Sequence, residues 1–264
     1  MLRAPLARRA LLAGLPATLA APARAAPDGS LRRVLDAGVL RLGVQVEGTV
    51  AATRGGDGSL RGYLPQLGRR IAEGLGLRAE FIAVPRGDML GVSQQGRFDL
   101  GLGGAIASTW LAMSALLSDP IMRFQLVVLT PREQPVSGMA ELRTWRVGIL
   151  EGRSFAETLR EAGVEEQRTV TYPSWQASAE ALARGAKEAA IVPTYHAREI
   201  QRLVPQATTR FTLGEFWHCA ILRPGEHDLV RAVNVLLYLL RQEGELPALH
   251  RAFFDTDLGG RRTL

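Results

Sequence analysis

The chain has 264 residues, 47% apolar and 22% charged, the balance of an ordinary globular protein and enough apolar surface to exclude disorder. Its net charge of +6 is concentrated at the start: residues 1–25 hold Arg3, Arg8, Arg9 and Arg24 and no acid, so 32 − 4 = 28 basic against 26 acidic side chains leave the rest at +2. No dense basic run remains, and Lys187 is the single lysine, which excludes the usual electrostatic footprint of a nucleic-acid binder.

Residues 1–25 read as an export signal. The three early arginines precede an apolar run from Ala10 to Ala21, and Ala23-Arg24-Ala25 offers small residues where a signal peptidase cuts. A retained anchor is the alternative, but the run is shorter than the roughly 20 residues that span a bilayer. Arg8-Arg9 before Leu11-Leu12 partly matches a twin-arginine signal, so that route and the general secretory one both stay open. The mature chain is then expected in the periplasm.

Short strand patterns next alternate with helical ones. Leu40, Leu42, Val44 and Val46 alternate with polar or small residues and predict a strand. Residues 54–59, rich in Gly and Asp, predict a turn, and Leu64, Leu67, Ile71 and Leu75 recur at helical spacing. Arg78 to Val84 reads as a strand, Asp88 to Gln95 as a short helix capped by Asp88, and Phe98 to Leu102 as a third strand. Such a β-α-β-α-β series favours parallel pairing with crossover helices.

The pattern then restarts. Trp145 to Leu150 predicts a strand, Phe155, Leu159 and Ala162 a helix face, and Arg168 to Tyr172 a strand. Trp175, Ala179 and Leu182 form a helical stripe before a strand over Glu188 to Val192. Leu229, Val233, Leu236, Leu237 and Leu240 mark an amphipathic helix late in the chain. Two α/β halves joined by strand-like crossings, near 117–128 and 214–222, account for this order better than two separate beads.

The single cysteine, Cys219, excludes an internal disulfide and a multi-cysteine zinc site. It lies in an apolar stretch and reads as a buried, inert thiol. His196, His218, His227 and His250 form no His-x-x-x-His unit and read as surface or packing residues.

Four segments in order resemble the family 3 extracellular solute-binding proteins, over roughly residues 30 to 255. They are Gly96-Arg97-Phe98-Asp99 with Gly103-Gly104, then Ser118-Asp119-Pro120, then residues 148–154 (Gly-Ile-Leu-Glu-Gly-Arg-Ser), and residues 182–189 (Leu-Ala-Arg-Gly-Ala-Lys-Glu-Ala). The resemblance implies an α/β, two-lobed type II periplasmic binding protein fold, each lobe a mostly parallel sheet flanked by helices, with a hinge between. Residues 26–120 and 219–264 would form lobe 1 and 121–218 lobe 2. It further implies a monomer that captures a small molecule for the membrane permease of an ABC importer, with no cofactor, metal or nucleic acid.

The implied ligand positions are partly altered. Gly104, Ala105 and Ser108 fall on the ligand loop, with Ser108 where the family often places a carboxylate-binding threonine. Leu111 stands where a carboxylate-binding arginine is usual, and Pro193 where an aspartate meets the ligand ammonium. Arg153 and Ser154 sit at a predicted helix start, where free N–H groups favour an anion, and Arg153 either supplies the missing charge or is a solvated arginine. Glu47 either faces the cleft towards a cationic group or is a solvated loop acid. Trp110, Trp175 and Trp217 are candidate stacking walls, Trp175 sitting on a core stripe. A small polar, anionic solute is therefore expected in place of an ordinary α-amino acid.

Two other functions stay open. Cyclohexadienyl dehydratases share the fold; Phe98-Asp99-x-x-x-Gly-Gly and Glu199 resemble them, with Glu151 or Glu199 as the proton donor such chemistry needs. A ligand sensor without transport is the other.

Overall fold

The structure, a computed structural model, describes residues 27–85, 87–150, 159, 163–185 and 188–259. The export-signal reading of residues 1–25, and Glu151, Arg153 and Ser154, lie outside them.

Helix α1 (Ser30–Ala37) leads into β1 (Val39–Gln45), and the hairpin β2 (Thr53–Arg54) and β3 (Leu60–Arg61) precedes α2 (Tyr63–Gly74). Next come β4 (Arg78–Val84), α3 (Met89–Gln94), β5 (Leu100–Leu102) and α4 (Thr109–Ser114). Strand β6 (Leu116–Pro131) carries the chain onward to α5 (Met139–Leu142), β7 (Arg146–Leu150), β8 (Thr169–Tyr172), α6 (Trp175–Arg184), β9 (Glu188–Pro193) and α7 (Thr194–Leu203). Strand β10 (Ala207–Leu222) returns it to α8 (His227–Gln242) and α9 (Glu245–Phe254).

The eight main strands form one sheet in the order β4-β1-β5-β10-β6-β9-β7-β8. β4, β1 and β5 pair in parallel, as do β9, β7 and β8. Between these groups run the two 16-residue strands β6 and β10, antiparallel to each other. One end of the pair adjoins β5 through Ile221 opposite Gly101, and the other adjoins β9 through Leu126 opposite Pro193. These are the two strand-like crossings expected from sequence, longer than the segments near 117–128 and 214–222.

Burial explains why these segments fold as they do. β9 is buried at every position and β1 at most, as parallel strands covered on both faces must be. α2 buries Leu64, Leu67 and Ile71. A Cβ at Gly68 would lie 2.9 Å from Leu42 Cδ1 and 3.0 Å from Leu102 Cδ1, so α2 approaches the sheet closely at this glycine.

Two local expectations are corrected. The third strand begins at Leu100, not Phe98: the Asp99 N–H donates to the Arg41 carbonyl at 2.9 Å, but the Arg41 N–H turns to the Asp99 carboxylate at 3.0 Å in place of a backbone carbonyl. Asp88 precedes α3 but caps it with its carbonyl, which accepts from Val92 N–H at 2.9 Å, and not with its carboxylate. The helices over 194–203 and 245–254 have no counterpart in the periodicity above, since buried His196 and His250 interrupt their apolar stripes.

The Ser-Asp-Pro segment lies within β6 and ties it to β10 and α8. Ser118 Oγ accepts the Ala220 N–H of β10 at 2.8 Å, and the Asp119 N–H donates to Asn234 Oδ1 of α8 at 2.9 Å. An aromatic chain then follows the crossings: Tyr63 packs edge-on to Phe254 (5.1 Å), Phe254 lies 5.9 Å from Tyr195, and Tyr195 meets Phe124 of β6 edge-on (6.0 Å). Phe254 and Asp255, which pairs with Arg198 at 3.3 Å, thus bring the C-terminal end of the chain against α7.

Candidate functional site

In open α/β sheets, ligands bind beyond the carboxyl ends of the parallel strands. Here β1 ends in Gln45 and runs on to Glu47, β5 ends at Leu102 before Gly103-Gly104, and β9 ends at Pro193 before His196. The first two ends belong to one parallel group and the third to the other. They meet at Glu47: His196 Nε2–H donates to Glu47 Oε2 at 2.7 Å, and Gln45 Nε2–H donates to Glu47 Oε1 at 2.6 Å. The side chains of His196 and Glu47 are 0% and 5% exposed, so this polar seam is sealed from water.

Local geometry brings these groups together. Glu47, Gly48 and Thr49 all direct their N–H groups to the Ala52 carbonyl, at 3.1, 3.0 and 3.4 Å, which folds residues 46–52 into a tight loop over β1. Gly103 and Gly104 both take positive φ, 89° and 71°. A Cβ at Gly104 would sit 2.4 Å from Gln45 Oε1, so glycine leaves Gln45 room to hold Glu47.

The sequence-predicted residues are distributed unevenly about this seam. Glu47 is buried, not solvated, and Gly104 adjoins it through Gln45. Ala105 is 1% exposed, and its carbonyl accepts from Cys219 N–H at 3.0 Å, lining β10 instead of an opening. Pro193 is buried at the end of β9, paired with Leu126, three residues before His196. Ser108 caps α4, its Oγ accepting from Leu111 N–H at 3.3 Å, and Trp110 is 60% exposed on that helix. Leu111, at the place of the family's arginine, is buried among Phe98, Met89 and Ile221. Arg153 and Ser154 lie outside the described residues.

His196 and Gln45 are seam residues that the sequence did not place at the site: His196 reads there as a surface or packing residue, and Gln45 falls on the polar side of the first strand's alternation. Trp175 is expected from the sequence as a stacking wall on a core stripe. Trp175 packs with Leu150, Leu182 and Val192, while its indole edge lies 3.9 Å from where a Gly48 Cβ would be.

Other reactive groups have structural roles. Burial pushes the Cys219 thiol up to about 12, which leaves it unreactive as a nucleophile. Glu199, the described candidate for a proton donor, is held by Arg202 at 2.8 and 2.9 Å. Among the described residues there is no group of three His, Cys, Asp or Glu placed to hold a metal ion. None of their helices is long and apolar enough to cross a membrane.

Comparison with known proteins gives the fold and the family. The L-cystine-binding protein TcyJ of Escherichia coli (strain K12) is 25% identical over 237 residues, covering 88% of this chain and 89% of that protein. An ABC uptake transporter substrate-binding protein from Streptococcus pneumoniae, solved with histidine bound, superposes with a TM-score of 0.77 at 15% identity, over 89% of this chain and 99% of that one. The ancestral amino acid-binding protein AncCDT-1, a precursor of cyclohexadienyl dehydratase, superposes at 0.75 with 18% identity, over 85% of this chain and 99% of that one. These structural likenesses establish the two-lobed type II fold. The sequence model of bacterial extracellular solute-binding proteins, family 3, matches residues 40–256, and the chain belongs to that family.

Proposed function

We propose that this protein captures a small polar, anionic solute in the periplasm and hands it to the permease of an ABC importer. The observation that carries the reading is the buried Glu47–His196 contact, which joins residues 149 positions apart at the carboxyl ends of two separate parallel-strand groups. Solute-binding sites of this kind need converging polar groups and a hinge, not an activated nucleophile. Residues 26–120 with 219–264 form one lobe and 121–218 the other in this reading, with β6 and β10 as the hinge. The protein acts as a monomer after cleavage of residues 1–25.

The class of solute follows from what the usual anchors have become. Leu111 is turned into a core and Pro193 into a strand end, so neither offers a charge to an α-amino acid. Arg153 with Ser154 supplies the anion anchor from lobe 2, and Glu47 with His196 completes the polar frame. Binding is favoured over dehydratase chemistry because Glu199, the described candidate for a proton donor, is tied to Arg202.

Calorimetry on the mature protein tests this with L-cystine, L-arginine, L-histidine and four- to six-carbon dicarboxylates. A dicarboxylate should bind more tightly than any of the amino acids. A hydrogen bond to a charged group contributes about 1.5–3 kcal/mol, so Arg153→Ala should weaken binding by about tenfold to a hundredfold. Submicromolar binding of an L-amino acid, L-cystine included, overturns the solute class. Unaltered affinity in Arg153→Ala removes that residue from the site.

A further inference from the structure

Trp175 opens α6, with Ser174 as the N-cap whose Oγ accepts from Ala177 N–H at 3.2 Å. The residue is 8% exposed and packs into the core beneath α6, in one cluster with Leu150, Leu182 and Val192. Its indole N–H edge is turned the other way. Nε1 lies 3.9 Å from where a Cβ on Gly48 would be, against the loop that carries Glu47. Yet among the described residues Nε1 has no hydrogen-bond partner, and neither has Ser178 Oγ, one turn further along the same face of α6 and 1% exposed.

Two orphaned donors on one helix face are costly. A buried polar group without a partner costs about 1–3 kcal/mol, and the large majority of such groups in folded proteins are paired. The ring accounts for the packing beneath α6, and that packing leaves the N–H unexplained. Loop 46–52 does not satisfy the group either: the Gly48 carbonyl is not bonded to it, and the Ala52 carbonyl already accepts three N–H groups.

We propose that the seam between Gly48 and Trp175 is a solute subsite, in which the indole N–H donates to an acceptor oxygen of the bound molecule. The proposal rests on the solute-binding reading above and adds a specificity residue to it. An oxygen held there bridges α6 and loop 46–52, beside the Glu47–His196 contact, so binding at this point also joins the two strand groups. A solute offering only a donor or a methyl group at that position leaves the indole unpaired and is discriminated against.

Trp175→Phe keeps a ring and removes the N–H. With no solute added, the Trp175 indole N–H should resonate in the range of unbonded indole protons; a signal at the position of a hydrogen-bonded indole N–H overturns the proposal without reference to any ligand. The second measurement follows the indole N–H signals of protein labelled with ¹⁵N-tryptophan, assigned by single Trp→Phe variants. The protein is titrated with L-cystine, L-arginine, L-histidine and succinate in turn. A solute that binds by calorimetry should shift the Trp175 signal, and Trp175→Phe should weaken its affinity at least tenfold. Binding that leaves the Trp175 signal and the variant's affinity unchanged overturns the subsite while keeping the solute-binding reading. Absence of binding by all four probes counts against the solute-binding reading, and the subsite falls with it.

Discussion

Glu47 and His196 hold each other across the seam: the imidazole Nε2–H donates to the carboxylate at 2.7 Å, with Gln45 on the second carboxylate oxygen at 2.6 Å. One residue follows the first strand of the chain, and the other lies in the first turn of α7. A polar contact sealed this well constrains how the two strand groups face one another.

Removing one partner should therefore be felt in stability. His196→Ala leaves the Glu47 carboxylate without this donor and should lower the free energy of unfolding by about 1.5–3 kcal/mol. Glu47→Gln, which keeps an acceptor at the same place, should cost less. Urea unfolding midpoints at fixed pH decide the matter, and variants indistinguishable from the parent would show that the contact contributes nothing.

Asp99 gives the acid side of the stability profile. Burial alone would raise its carboxyl, but hydrogen bonds from Arg41 and Arg33 outweigh that and hold it below the usual carboxylate range. Arg33 Nη1 is 2.5 Å away and Arg41 Nη2 2.9 Å. A carboxyl lowered in the folded state contributes stability that is full above the ordinary value near 3.8 and is lost as pH falls below it. Asp99→Asn should lower stability at pH 7 by about 1–3 kcal/mol and flatten the decline below pH 4. Unfolding curves at pH 7 and across pH 3–5 give both quantities.

His250 acts at higher pH. Burial against Tyr63 and Phe254 holds its imidazole below the ordinary value of 6.5, although the Thr256 carbonyl, accepting from Nδ1–H at 2.8 Å, acts in the opposite direction. Arg123 and Asp257 are the charged groups that bear on it, the first lowering and the second raising. Below about pH 6.5 the unfolded chain takes up a proton that the folded one does not, so stability falls until the lowered folded value is reached. Melting temperatures should drop between pH 7 and pH 5.5 in the parent and drop less in His250→Gln. An equal drop in both would assign the effect elsewhere.

Cys219 should be silent in the folded state. With its thiol pushed up to about 12 and 0% exposed, it should resist iodoacetamide at pH 8 and react fully in 6 M guanidinium chloride. Mass spectrometry of the native protein showing rapid alkylation would mean that β10 opens near residue 219.

The sequence by itself determined the two α/β halves, the strand-like crossings and the family. Strand alternation in β1 and β4, the stripes of α2, α6 and α8, and the glycines after β5 are local, and a buried face repeats at a fixed period wherever it forms. It also determined that Leu111 and Pro193 cannot supply the usual charges, because residue identity alone decides that. Only the tertiary structure decided that Leu111 turns into a core, that Ser108 spends its oxygen on its own helix, and that Glu47 meets His196. It decided too that Trp175 divides its ring between a core and a seam. Those facts depend on which ends of distant strands the crossings β6 and β10 bring together, and on contacts between residues more than a hundred positions apart. No period in the sequence records them, since polar residues such as Gln45, Glu47 and His196 follow no stripe and are buried by one another.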